Sequence, residues 1–525
     1  MKRLPLGIQT FSKLILENHY YVDKTEFVYK LANIGTYFFL SRPRRFGKSS
    51  FLDTLKEAFE GNEKIFKGLF LEKNWDWSKK YPVIKISFGG GLMQTPEQVD
   101  EIIHGILRYN QRNLGISCEK GLPASVCLKE LIEQSSKQFK EKVVVLIDEY
   151  DKPILDNIEK EETAIKIREI LKGFYSVIKD SDSYIRFVFI TGVSKFSKVN
   201  LFSGLNNLTD ITLDPRFSTI CGYTQNELED TFQEQLSGIS LEELKEWYNG
   251  YSFDGTKVYN PFDVLHLLDK RTFKNYWFET GTPTFLIKLI EKRKFPIPKL
   301  EDIELTETSL NSFDVGSIEL EALLFQTGYL TIKEIERLGD MIIYHLVYPN
   351  KEVKSSLSDS ILKYLANSFS TDKERNKSTL FKLLHKGDVG GLKELFHSFF
   401  ASIPYNWYTG NTIADYEGYY ASVFYTYFTA TGVEVHVEDV TNLGRIDMVA
   451  ILNGHCYVLE FKVNELTPKG SALAQIKEKK YHEKYIGYES SHLYSGSVKS
   501  IYLIGVEFNK TDRNITSFDW EEVVC

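Results

Sequence analysis

The sequence predicts an α/β protein: an N-terminal parallel sheet of P-loop type, a helical and winged-helix-like middle, and a second α/β domain at the C-terminus. Three observations point there. Short apolar runs alternate with helical stretches through about residue 220, a glycine-containing turn follows the first run, Tyr37-Phe-Phe-Leu40, and a second series of strand-like runs begins after about residue 411. Parallel neighbours need a crossover between them, so alternating strand and helix periodicities are what a parallel sheet covered on both faces requires.

The totals bound the rest. At 525 residues the chain exceeds one ordinary core, and domains of roughly 100–200 residues suggest about three. Hydrophobic residues make up 42% and charged residues 26%, as in folded globular proteins. A net charge of −8 excludes a global polycation, so any nucleic-acid contact requires a local basic groove. Cys118, Cys127, Cys221, Cys456 and Cys525 form no CxxC pair, which argues against a disulfide framework or a zinc site and for a reducing cytosol. The start MKRLPLGIQTF has no apolar signal region, and no run of about 18 apolar residues occurs. A soluble, cytoplasmic protein without membrane contact is expected.

In chain order, strands are expected over 37–40, 83–87, 143–148 and 185–191, with helices near 97–113, 124–139 and 162–179. The pattern turns helical from 224 to about 294, around the aromatic turn Trp247-Tyr-Asn-Gly-Tyr251. A helix and two alternating strands at 329–335 and 341–347, joined at Leu338-Gly-Asp340, suggest a small winged-helix-like module. Helices should fill 352–402, and strands recur near 433–438, 446–451, 456–462 and 500–507. The expected division is 1–222, a helical lid at 223–300, a winged-helix-like and helical region at 301–405, and a last domain at 406–525.

The first chemical constellation is Thr36–Ser50, TYFFLSRPRRFGKSS. Strand, tight turn, Gly47-Lys48-Ser49 and an amphipathic helix make the layout of a phosphate-binding loop. Free amides and the helix dipole favour an anion at such a helix start. Lys48 would reach the outer phosphates of ATP and the Ser49 hydroxyl would sit on Mg2+. Arg44, Arg45, Phe46, Gly47 and Ser50 complete the expected nucleotide contacts. The usual pattern places a glycine five residues before Gly47, where this chain has Arg42. The apolar run Val143–Ile147 then ends in Asp148-Glu149. Asp148 would help hold Mg2+, and Glu149 would polarise the attacking water. Thr191, at the end of a further strand, could sense the γ-phosphate or simply cap the next segment. Arg42, Arg44 and Arg45 could act on phosphate or pair with Asp148, Glu149 or Asp151, since arginine suits both roles.

Tyr21-Val-Asp-Lys-Thr25, Ser41-Arg-Pro-Arg-Arg-Phe-Gly-Lys-Ser49 and Ile147-Asp-Glu-Tyr-Asp-Lys-Pro153 resemble the bacterial AAA-ATPase-like family, as do Tyr248-Asn-Gly-Tyr-Ser252, Tyr259-Asn-Pro-Phe262, Gln326-Thr-Gly-Tyr-Leu330 and Pro349-Asn-Lys-Glu-Val353. The resemblance spans most of residues 1–355 and implies an AAA-type domain in which Arg42 is a family trait.

The second constellation lies far downstream. Gly444-Arg-Ile-Asp447 opens one strand, and Tyr457-Val-Leu-Glu460-Phe-Lys462 is the next, after a turn at Asn453-Gly454. Glu460 and Lys462, two apart, share a face, and a hairpin can bring Asp447 opposite. Two converging carboxylates make a hard oxygen site for Mg2+ or Mn2+. Lys462 would assist the water or stabilise charge on phosphorus. An exposed cross-strand ion pair is the plain alternative, but the apolar character of this strand calls for a partner for a buried acid.

This D-x12-E-x-K spacing resembles the PD-(D/E)XK nuclease superfamily, over about residues 411–510. The resemblance implies a restriction-endonuclease-like domain, with Glu417 as an additional acid and Gln475 and Tyr481 as contacts to the scissile phosphate. Ile446 replaces the proline of the superfamily's name. The run Lys477-Glu-Lys-Lys480 reads equally as a solvated helix face or a grip on nucleic acid. The expectation is an ATP-regulated, Mg2+-dependent enzyme acting on DNA. The rival is a nucleotide-switched binder of nucleic acid or protein whose C-terminal domain does not cut. Assembly into a homo-oligomer is compatible with the sequence, which does not demonstrate a ring.

Overall fold

The computed structural model describes residues 2–119, 121–195, 201–202, 207–278, 286–287, 289–290, 293, 295–311, 319–365, 370–402, 417–490, 496–509 and 514–524. Its contacts divide the chain into two compact units, Met1–Trp277 with Glu304–Pro349, and Phe278–Ile303 with Asn350–Cys525. The expected start of a last domain at 406, and Asp415 and Tyr416 ahead of Glu417, lie outside the described residues.

The first unit is built on β1 (Tyr37–Ser41), β2 (Val83–Ser87), β3 (Val143–Asp148), β4 (Ile185–Gly192) and β5 (Thr209–Asp210). They form one sheet in the order β2-β3-β4-β1-β5, and every pairing is parallel. Helices Pro96–Leu114, Ala124–Phe139 and Glu161–Asp180 supply crossovers. Because both sheet faces are covered, the central strands read as unbroken apolar runs, and Val143 to Ile147 are all fully buried. The order sets β4 between β1 and β3, so the loop after β1, Thr191 of β4 and the acids after β3 meet at one edge. That edge is the carboxyl end of the strands, where ligands of such sheets bind.

The helical stretch after 224 resolves into Gln225–Phe232, Leu241–Tyr248 and Pro261–Lys270. Thr224 and Glu227 form a complete capping box at the first of these. A three-stranded sheet, β6 (Ile303–Thr306), β8 and β7, holds the expected hairpin of β7 (Thr331–Leu338) and β8 (Met341–Val347). Helix Leu320–Thr327 precedes the hairpin and ends at Gly328, φ +91°. The hairpin and this helix belong to the same unit as the phosphate loop.

In the second unit β9 (Glu434–Val440), β10 (Arg445–Leu452), β11 (His455–Val463), β12 (Ser500–Asn509) and β13 (Asn514–Val524) form a sheet ordered β13-β12-β11-β10-β9. β11 and β12 are parallel, the other pairs antiparallel. The crossover between β11 and β12 contains helix Ser471–Glu478. β13 was not expected: its sequence NITSFDWEEVV is half acidic or polar, and as an edge strand it buries little beyond Ile515 and Phe518. Helix Glu417–Ala430 is apolar nearly all round because it is a core helix, with Phe424 stacked 3.8 Å from Phe396. Among the described residues no helix is long and apolar enough to cross a membrane.

Candidate functional site

The phosphate loop leaves β1 and turns back through two left-handed residues, Arg45 at φ +71° and Gly47 at φ +90°. Gly47 is the N-cap of helix Lys48–Phe59, and no side chain caps that end. Its amides are thus open to an anion, as a phosphate site requires. Lys48 is buried and donates from Nζ to the carbonyl oxygens of Arg42 and Pro43, both at 2.8 Å. Burial pulls its pKa down, and the neighbouring Asp148 pushes back. Ser49 and Ser50 are half-buried beside it.

Across the sheet edge Asp148 is 4% exposed and accepts a hydrogen bond from Thr191 Oγ1 at 2.9 Å. Glu149 follows in a left-handed conformation, φ +53°, a strained position for a non-glycine residue. Its carboxylate is half-buried, and burial and then Asp148 raise its pKa. The two acids therefore differ: Thr191 fixes Asp148 by a hydrogen bond, while the burial of Glu149 and its like-charged neighbour raise its pKa. Asp151, offered by the sequence only as an arginine partner, is fully buried and accepts from Val193 N, Ser194 N and Ser194 Oγ. It locks the segment after Thr191 in place.

The arginines separate. Arg42 is completely buried; it donates to the carbonyl oxygens of Ser41, Thr212 and Phe217 and stacks 3.9 Å from the centre of the Phe253 ring. It neither faces phosphate nor pairs with Asp148, Glu149 or Asp151, so it is a tie for the loop's main chain. Arg44 and Arg45 are exposed, and Arg45 lies 4.4 Å over Phe262. Phe46 is buried with its ring against Tyr251 and Phe253, so only its main chain is available to a nucleotide. The aromatic motifs after residue 247 thus form the seat of the loop. Two more supports lie farther along the chain: Trp277, for which the sequence held no signal, donates to Arg44 O, and a Cβ on Gly328, within the Gln326–Leu330 motif, would stand 2.7 Å from Pro43 Cβ.

In the second unit the hairpin of β10 and β11 pairs Met448 with Leu459, which sets Asp447 level with Glu460. Asp447 Oδ2 accepts from Phe461 N at 2.8 Å. Glu460 is 1% exposed and divides its oxygens. Oε1 accepts from Lys462 Nζ at 2.9 Å and from Gln475 Nε2. Oε2 is buried with no hydrogen-bond partner among the described residues. Burial, then the Asp447 charge, lifts the Glu460 pKa to about 7, while Lys462 opposes the rise. A buried carboxylate oxygen left unsatisfied beside a second acid is what a hard cation would complete. The pair thus fits one divalent cation.

Glu417 opens helix Glu417–Ala430, but its side chain lies outside the described residues. Among those residues no three His, Cys, Asp or Glu side chains gather into a metal-binding group. Tyr481 is 2% exposed, with its hydroxyl 3.5 Å from Gln475 Nε2, so it orients Gln475 rather than facing solvent. Gln475 is half-buried on Glu460. Arg445 pairs with Glu438, Lys477 with Glu521 and Lys480 with Glu483, which favours the solvated-face reading of the basic run.

A parallel sheet with an open phosphate loop and a mixed sheet with paired acids and a lysine define an ATPase-type domain and a nuclease-type domain in one chain. Residues 5–202 match the family described as "Predicted AAA-ATPase", and residues 415–518 match the PD-(D/E)XK nuclease superfamily. The chain belongs to the AAA-ATPase-like family, with a C-terminal domain of the PD-(D/E)XK nuclease superfamily. It is 50% identical over 519 residues, 98% of each chain, to a protein of Azotobacter chroococcum mcd 1 described as "Uncharacterized protein in vnfD 5'region".

Proposed function

We propose that this protein is a cytoplasmic, ATP-controlled nuclease that cuts DNA with a divalent cation. One observation carries the reading: among the described residues Glu460 Oε2 is buried and unpartnered on the face it shares with Asp447, while Oε1 is already committed to Lys462 and Gln475. Mg2+ held by Asp447 and Glu460 would polarise a phosphate and acidify a water. Lys462 keeps an ammonium beside the reacting phosphate, and Gln475, held by Tyr481, orients it. Glu417 is the candidate for a further acid. In the first unit Lys48, Ser49 and Asp148 would hold ATP-Mg2+, with Glu149 as the base for water. The proposed folding segments remain 1–222, 223–300, 301–405 and 406–525, with self-association as an accompanying proposal.

The binder reading keeps one observation in its favour, the lack of a three-residue metal group among the described residues. A cleavage assay separates the two: plasmid and linear DNA with Mg2+ or Mn2+, with and without ATP. Cleavage lost in Asp447→Asn supports the nuclease; a wild-type protein that never cuts supports the binder.

A further inference from the structure

A second buried acid lies on the face of Asp447 and Glu460. β11 and β12 run parallel with Glu460 opposite Gly505 and Lys462 opposite Glu507. Paired residues of neighbouring strands point to the same side of a sheet, so Glu507 shares the face of Glu460 and Lys462. It is 1% exposed. Its Oε1 accepts from Ala472 N at 3.4 Å, in the first turn of helix Ser471–Glu478. Among the described residues its Oε2 is buried without a hydrogen-bond partner, and so is Ser471 Oγ.

The neighbouring Gly505 shows why this strand matters to the site. A Cβ there would overlap the backbone of Leu473. Glycine lets the helix settle directly onto β12, and from that position Gln475 reaches Glu460 Oε1. The helix starts at Gly470, which has no side chain to cap it, and Glu507 brings a carboxylate to the amide of Ala472 in its first turn.

A neutral acceptor such as glutamine would serve a helix start at far lower desolvation cost than a carboxylate with one oxygen unused. The charge itself therefore calls for a reason. Across β10, β11 and β12 the face carries three carboxylates, Asp447, Glu460 and Glu507, against the one ammonium of Lys462; Arg445 is matched by Glu438. With all three carboxylates ionised, the excess of two negative charges would match one divalent cation.

We infer that Glu507 is a positioning residue of this face: its charge strengthens the hold on a divalent cation, and its carboxylate seats the helix that carries Gln475. The inference rests on the reading of Asp447 and Glu460 as a cation site. Glu507 acts through charge rather than as a ligand, consistent with the absence of a three-residue metal group among the described residues.

Calorimetric titration of Mn2+ into the full chain tests it without reference to cleavage. Wild type should bind and Asp447→Asn should not. Glu507→Gln, folded by circular dichroism, should bind about tenfold more weakly, as loss of a nearby unit charge predicts. Glu507→Asp separates charge from capping: it should stay near wild-type affinity although the helix contact is withdrawn. Glu507→Gln binding as wild type, or Glu507→Asp binding as poorly as Glu507→Gln, overturns the inference while Asp447 and Glu460 stand. A wild type that binds no Mn2+ overturns the cation site and this inference with it.

Discussion

The indole N–H of Trp277 donates to the carbonyl oxygen of Arg44 at 3.1 Å, tying the phosphate loop to a residue 233 positions downstream. Trp277 also packs its ring 5.3 Å from Tyr329, whose neighbour Gly328 abuts Pro43. The loop is therefore seated on the segment around Gln326–Leu330 as well as on its own sheet. Trp277→Phe removes the hydrogen bond and keeps most of the packing. A loss of about 1 kcal/mol is expected, felt as a few-fold weaker affinity for a fluorescent ATP analogue. An unchanged affinity would show that Arg44 O is held adequately without it.

Lys48 is the charge that the loop encloses, held on Arg42 O and Pro43 O and close to Asp148. Lys48→Ala should remove ATP binding, at least about a hundredfold, while the fold persists, because the core beneath comes from Phe38, Phe39, Leu52 and Leu55. Equal nucleotide affinity in calorimetry would rule out the loop as the phosphate site.

Asp447 and Lys462 are expected to be indispensable to Mg2+-dependent cleavage. Asp447→Asn and Lys462→Ala should each lower the rate by about a hundredfold or more, the range for removal of a metal-binding or charge-stabilising group. Plasmid nicking followed by gel densitometry measures this. Residual cleavage near wild type in both variants would move the chemistry elsewhere.

Glu460 gives the second unit a pH signature. Its folded pKa, about 7, exceeds the ordinary value of 4.5, so the metal-free folded state binds the extra proton. This contribution to stability is complete below the unfolded pKa and is lost as pH rises through about 7. In EDTA, wild type should lose more melting temperature than Glu460→Gln between about pH 5.5 and pH 8. Mg2+ competes with that proton, so its stabilising effect should grow over the same interval. Parallel melting curves for the two proteins would refute the assignment.

Much of the architecture was legible because it rests on local patterns. The strands 83–87 and 143–148 and the helix 124–139 fall where their apolar periodicity and end signals put them. β13 was not legible, since an edge strand needs only one partly buried face and Asn514–Val524 carries few apolar residues. Lys48, Asp447, Glu460 and Lys462 could be singled out as candidates because their proposed roles depend on spacing within one turn or one hairpin, and Asp148 because it ends a wholly apolar strand. Arg42 could not be resolved, because an arginine reads alike whether its partner is a phosphate, a carboxylate or three main-chain carbonyls.

The sequence by itself determined most strands of the two sheets, the loop between β1 and its helix, and the hairpin that sets Asp447 level with Glu460. The strands follow from local apolar periodicity, and the loop and the hairpin from contacts among residues near in the chain. Tertiary structure alone decided that Trp277 and Gly328 brace the loop, that Asp151 anchors Ser194, and that Gly505 and Glu507 bring a helix and a charge to the Glu460 face. Each of these depends on which distant strand or helix becomes a neighbour, and burial then assigns the residue its partner.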